Sequence, residues 1–279
     1  MTYKIVSVHL DASARCAARV ELAARVAMQH GARLVGIAPT GVPDIVVSLN
    51  AAVPEAIECI SPPAGHLRRQ AEAAVEAFEH RCREFGSLSW SAVVVVDEAT
   101  DAVIRHGRCS DLVVVGQTDV DAPTEGAALD LPQQVLLHAG PPVLVVPYAG
   151  SFPGLGRRVL VAWKDTREAA RALRDALPIL RGAERVLLVE VGAVQPMPDA
   201  RNTLDAAGAW LRAHGVAFDA HREIEIGDVG EQLLSRASDF GATLIVSGGY
   251  GHSRLREWVM GGVTRHLLEH MTVPTLLAH

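Results

Sequence analysis

Thr243-Leu-Ile-Val-Ser-Gly-Gly-Tyr-Gly-His-Ser-Arg-Leu-Arg-Glu-Trp-Val-Met-Gly-Gly-Val-Thr-Arg-His-Leu-Leu-Glu-His270 is the stretch on which the reading of this chain turns. The apolar, partly β-branched run Thr243 to Val246 reads as a buried parallel strand. It breaks at once into Gly248, Gly249 and Gly251, where backbone can turn at positive φ and approach a ligand closely. Gly261 and Gly262 follow, and Val263, Leu267, Leu268 and Met271 then recur at helical spacing. The second glycine pair therefore stands at a helix start, where unpaired N–H groups and the helix dipole favour an anion. Thr264 adds a hydroxyl there. Any one of these glycines reads more readily as a loop or packing residue, but together, between a strand and a helix, they read as a phosphate cradle.

Working outward, the chain repeats itself. Ile5-Val-Ser-Val-His-Leu-Asp11 matches Val159-Leu-Val-Ala-Trp-Lys-Asp165, and each is followed by an Ala- and Arg-rich helical pattern. Ser110-Asp-Leu-Val-Val-Val-Gly116 matches Ala242-Thr-Leu-Ile-Val-Ser-Gly248, and His138-Ala-Gly-Pro-Pro142 matches His270-Met-Thr-Val-Pro274 at the same offset. Two copies of one module are joined by the Gly- and Pro-bearing stretch from Tyr148 to Arg157. In the second copy, strands are expected at Arg158 to Trp163, Arg185 to Val191, Phe218 to Ile224, Thr243 to Val246 and Pro274 to Leu277. Helices are expected at Thr166 to Leu180, Pro198 to His214, Asp228 to Phe240 and Val259 to His270. Asp228, three residues before Glu231, reads as a helix cap, and Gly182 and Gly215 stand where a left-handed residue ends a helix. Alternating β and α units of this kind make a parallel, doubly wound α/β sheet with ligands at the carboxyl ends of its strands. The first copy has the same plan, with a longer Pro-containing insert from Pro39 to Gly65 whose apolar pieces leave its role open.

The spacing Gly248-x2-Gly251-x9-Gly261 resembles the nucleotide loop of the universal stress protein family, G-x2-G-x9-G-[S/T]. Gly262 stands at the Ser/Thr position, so a backbone N–H remains there but one hydroxyl contact is missing. The resemblance implies two tandem five-stranded sheets of the adenine nucleotide alpha hydrolase-like kind, strand order 3-2-1-4-5. It divides the chain into a degenerate domain over 1–148 and a domain with the nucleotide loop over 156–279. It implies an intramolecular pseudo-dimer in which the last strands, Val143 to Val146 and Thr275 to Leu277, pair, and which could assemble into a further homodimer. The second half is expected to bind ATP or a related adenine nucleotide, with or without Mg²⁺, in a stress-response role.

In relatives an Asp ending strand 1 lies near the ribose or adenine; here Lys164 holds that place and Asp165 follows. Trp163 reads either as a stacking surface for the base or as core. Val189 and Val191 would wall the base, and Gly248, Gly251, Gly261, Gly262, Val263 and Thr264 would surround the phosphates. His252 and Arg254 would add charge or simply be solvated. In the first half, Asp119, Leu129 and Asp130 fall on Gly251, Gly261 and Gly262, and carboxylates in place of close-approach glycines repel phosphate. That half is expected not to bind nucleotide.

Over 279 residues, with 49% hydrophobic and 21% charged, there is ample core for two domains. A net charge of −6 speaks against nucleic acid as a partner. No apolar run reaches membrane-spanning length, and Met1-Thr-Tyr-Lys leads into a strand rather than a signal peptide, so a cytoplasmic protein without membrane association is expected. Cys16, Cys59, Cys82 and Cys109 have neither metal-site nor disulfide-framework spacing. No Walker motif and no GxSxG occur, and only Glu257 near the glycine loop could serve phosphoryl transfer, so no catalytic residue is assigned and slow ATP hydrolysis is the most that is expected. His266 and His270, four apart, lack a third placed metal ligand. Two rival readings stand beside the nucleotide one: a module for a small apolar or lipid-like molecule, and a protein-interaction scaffold.

Overall fold

The computed structural model describes residues 2–41, 64–118, 130–192, 203–250 and 262–279. They form two compact units, Tyr3–Pro141 and Pro142–His279, the latter together with Thr2.

In the first unit, β1 (Ile5–His9), α1 (Cys16–His30), β2 (Arg33–Pro39), α2 (Ala64–Glu84), β3 (Trp90–Val95), α3 (Ala99–Gly107), β4 (Leu112–Gly116) and α4 (Leu131–His138) alternate as the repeat requires. All pairings are parallel, in the order β3-β2-β1-β4. Burial on both faces explains the near-continuous apolar runs Val6 to Val8 and Leu112 to Val115. Asp111 fixes the entry to β1, its Oδ2 accepting from the amides of Lys4 (2.6 Å) and Ile5 (2.9 Å). α1 ends at Gly31, whose φ of 61° closes the last turn onto the carbonyls of Ala27 and Met28.

The second unit opens with β5 (Val143–Val146), so the break between units falls before the Tyr148 to Arg157 stretch. β6 (Arg158–Trp163), α5 (Arg167–Asp175), α6 (Leu177–Leu180), β7 (Arg185–Gly192), α7 (Thr203–Ala213), β8 (Asp219–Ile224), α8 (Val229–Phe240), β9 (Leu244–Gly248), α9 (Gly262–His270) and β10 (Thr275–Ala278) follow. The order is β8-β7-β6-β9-β10, which is 3-2-1-4-5, parallel throughout. β5 then adds antiparallel to β10 (Thr275 opposite Val145, Leu276 opposite Leu144, Leu277 opposite Val143), the pairing expected of the last strands.

The expected helix Thr166 to Leu180 is two helices. Pro178 has no N–H to continue the ladder, and the chain breaks at Ala176. Gly182 is not left-handed: the single turn of α6 closes through Gly182 N–H to Ile179 O (3.0 Å). Gly215 is, at φ 76°. Asp228 caps α8, its Oδ1 accepting from the Glu231 amide at 2.9 Å. α8 also brings Gly230 against α9, where an added Cβ would stand 2.6 Å from His266 Cβ. Cys16, Cys82 and Cys109 are free thiols, and Cys59 lies outside the described residues. No helix among the described residues is long and apolar enough to cross a membrane.

Candidate functional site

The carboxyl ends of β6, β7 and β9 open into a cavity of about 290 Å³, closed by the first turns of α5, α8 and α9. Its floor continues the core: Ala162, Val191, Val229 and Val263 pack on the buried cluster of Leu160, Leu187, Val189, Leu233 and Ile245. Strand alternation sends Ala162, Val189 and Val191 to one face, where α8 and α9 cover the sheet only in part.

At the end of β6 the chain turns tightly, Thr166 N–H bonding Lys164 O at 2.7 Å, and Thr166 caps α5 by accepting from the Ala169 amide at 3.2 Å. This turn puts Trp163, Lys164, Thr166 and Glu168 on the cavity wall and leaves Asp165 exposed and off it. Gly248 explains how the wall closes. A Cβ there would lie 2.5 Å from Ala169 N and 2.7 Å from Glu168 C, so the end of β9 meets the backbone of α5 directly. Gly248 is thus required for close approach, and the positive φ of the turn falls instead on Tyr250, at 59°. The Tyr250 amide donates to Thr264 Oγ1 (3.2 Å), tying the loop's start to α9.

The cavity carries charges of both signs. Lys164 is exposed, as is Glu225 at the opposite rim, whereas Glu168 is only 8% exposed. Burial pushes the Glu168 carboxyl up, but its own amide and Arg167, with Nη2 3.0 Å from Oε1, outweigh that and hold it below the usual carboxylate range. Trp163 is half-buried on the cavity wall, and its buried indole N–H has no hydrogen-bond partner among the described residues.

Of the residues singled out from sequence, Trp163, Lys164, Val189, Val191, Gly248, Gly262, Val263 and Thr264 meet at this cavity. Asp165 does not. Gly251, His252, Arg254 and Gly261 lie outside the described residues. Thr166, Glu168, Glu225, Val229 and Leu233 were missed; a threonine followed by Glu168 at a helix start is a capping signal that could have flagged the first two. His266 and His270 face each other, ring centres 4.6 Å apart, and His266 Nδ1 sits 3.2 Å from Asp228 Oδ1, away from the cavity wall.

The matching place in the first unit is filled. Arg19, 3% exposed, donates from Nε to His9 O (2.9 Å) and pairs with Asp11 Oδ2 (2.8 Å). Its guanidinium occupies the space a Cβ on Gly116 would need. Burial pushes His9 down to about 4, keeping it neutral. Burial would raise the Asp11 carboxyl, but Arg19, His9 and Ser13 together hold it well below its usual range. Of the loop residues expected to exclude nucleotide, Asp130 is exposed ahead of α4 and accepts from Gln134, while Asp119 and Leu129 lie outside the described residues.

The model of the universal stress protein family matches residues 156–279. Among solved structures, the chain is similar to a universal stress protein from Archaeoglobus fulgidus, at 15% identity over 98% of this chain and 95% of that one, with a TM-score of 0.71. It is also similar to a functionally unknown protein from Pseudomonas aeruginosa, at 16% identity over 99% of this chain and 92% of that one, with a TM-score of 0.64. At such identities the likeness carries the fold. No curated protein matches the chain significantly. Residues 156–279, which carry the parallel strands β6 to β10 in the order 3-2-1-4-5, are the part of the chain that matches the universal stress protein family.

Proposed function

We propose that this stress-response protein binds ATP or a related adenine nucleotide in the cavity of its second unit, and that the first unit does not. The observation that carries the reading is the cavity itself. An apolar slot between Val189, Val191 and Val229 leads to the N-terminus of α9, where Gly262, Val263 and Thr264 face it. A flat base suits the slot, and phosphates suit the unpaired amides and dipole of a helix start, helped by Lys164. Its volume of about 290 Å³ matches the base and sugar, with the phosphates directed outward along α9. Mg²⁺ would accompany a triphosphate by neutralising its charge.

Gly262→Asp gives a clean test. It is exposed, no described residue stands within 4 Å of an added Cβ, and Asp130 is its counterpart in the first unit. Titration calorimetry with Mg-ATP should show binding to the parent and at least a tenfold loss in the variant, with an unchanged unfolding temperature in the absence of ligand. Equal affinity in both, or none in the parent, overturns the proposal.

A second reading has one observation in its favour. In the first unit, Ala17, Val20, Ala74 and Phe78 line a groove of about 660 Å³ between α1 and α2, which suits an apolar molecule. Saturable uptake of a fluorescent fatty acid, unaffected by Gly262→Asp, would support it.

A further inference from the structure

Among the described residues of the cavity wall, Glu168 is the one buried charged side chain, and a phosphate site has no need of a carboxylate. An ionised carboxylate is an acceptor only, with about four lone-pair positions on its two oxygens. Arg167 uses Oε1 through Nε (3.1 Å) and Nη2 (3.0 Å), the Glu168 amide takes a further bond and His279 adds an electrostatic attraction, which still leaves acceptor capacity on the carboxylate. A nucleotide offers such a group three kinds of partner. Phosphates are repelled. The base belongs to the apolar slot of Val189, Val191 and Val229, on the far side of β6 from the first turn of α5. The vicinal hydroxyls of a ribose are what remains: two neutral donors, side by side, matched to a carboxylate.

Resting on the nucleotide reading above, we propose that Glu168, and not Asp165, is the residue that selects a ribose, by accepting hydrogen bonds from its hydroxyls. Its place supports this. Glu168 lies in the first turn of α5, which Gly248 lets approach the end of β9 directly, and it lines the same cavity as the slot and the start of α9. Asp165 is exposed and off the wall. Glu225 shares the cavity but sits at its exposed rim, where water competes for every donor.

Calorimetric titration of the full chain with AMP, 2′-deoxy-AMP and 3′-deoxy-AMP tests the assignment. The parent should prefer AMP over each deoxy analogue by about tenfold or more, the worth of a hydrogen bond to a charged acceptor. Glu168→Gln should collapse that ratio to about twofold while raising the affinity for ATP relative to AMP, because a like charge has been removed. Asp165→Asn should leave the ratio intact. Glu168→Asp, which keeps the charge but withdraws it by one methylene, should lower the ratio part-way and guards against misfolding of the glutamine variant. A purely structural role for Glu168 would weaken all three ligands alike and keep the ratio, which overturns the proposal, as does a collapse in Asp165→Asn. If the parent binds no nucleotide the underlying reading falls first; if it binds AMP with an unchanged ratio in Glu168→Gln, only this inference falls.

Discussion

Replacing Gly248 by alanine should damage stability and binding together. The new Cβ would meet Ala169 N at 2.5 Å, Glu168 C at 2.7 Å and Ala169 Cα at 3.0 Å, all backbone or Cα atoms that no side-chain rotation can remove. Ordinary contact begins near 3.4 Å, so the first turn of α5 must retreat by about 0.9 Å. Such a retreat stretches the 3.2 Å bond from the Ala169 amide to Thr166 Oγ1 past useful length. Overpacking of this kind costs about 1–3 kcal/mol, and a lost cap adds about 1 kcal/mol. A loss near 3 kcal/mol lowers the unfolding temperature of a unit of this size by roughly 6–12 °C. Calorimetric unfolding beside Gly262→Ala, whose Cβ meets nothing within 4 Å, supplies the measurement and its control. A Gly248→Ala variant that unfolds within about 1 °C of that control would refute the close approach of β9 to α5.

Three further outcomes follow from polar groups elsewhere in the two units. His9 is held near 4 against an ordinary 6.5, so between those values the unfolded chain binds a proton that the folded chain refuses, and stability falls as pH falls through that window. The loss approaches about 3 kcal/mol by pH 4, and urea midpoints at pH 7, 5.5 and 4 should show it in the parent and not in His9→Gln. Arg19→Met strands the Asp11 carboxylate without its cation and should cost about 3–5 kcal/mol, much of it recovered when Asp11→Asn is added; simple additivity in that double-mutant cycle would deny the pair its role. Asp228→Ala removes the cap of α8 and should cost about 1 kcal/mol in urea unfolding, and no change would show the cap to be idle.

Much of the fold was written locally. The apolar runs gave the strands, Asp228 with Glu231 marked the start of α8, and the offset between copies pointed to β5 and β10 as matching last strands, which do pair. Where reading failed, the cause was a choice between neighbours. Sequence marks a turn after Trp163, but which of Lys164, Asp165 and Thr166 faces inward depends on dihedrals that the Thr166 to Lys164 bond sets. The packing of Gly248 on Ala169 joins residues far apart in sequence, and a glycine after a strand looks the same whether it turns or merely makes room. Arg19 was hidden for a related reason: an arginine in an Ala- and Arg-rich helix normally reads as solvated, and only the fold reveals a guanidinium at 3% exposure.

That arginine accounts for the difference between the two crevices. Aligning Asp11 with Asp165 places Arg19 opposite Leu173, which is buried in α5. In the first unit the guanidinium draws Asp11 inward and takes the space over Gly116, so the strand ends are closed by the chain's own ion pair. In the second, Leu173 offers no cation. Nothing pulls Asp165 in, and it turns to solvent; the backbone of α5 itself comes down on Gly248 and carries Glu168 to the wall. The arginine-to-leucine difference, on a helix that no motif covers, thus accompanies the difference between strand ends occupied by an ion pair and a cavity beside a helix start. A glycine after a strand can make a turn or, like Gly248, make room for a helix, which is why loop and helix must be read together.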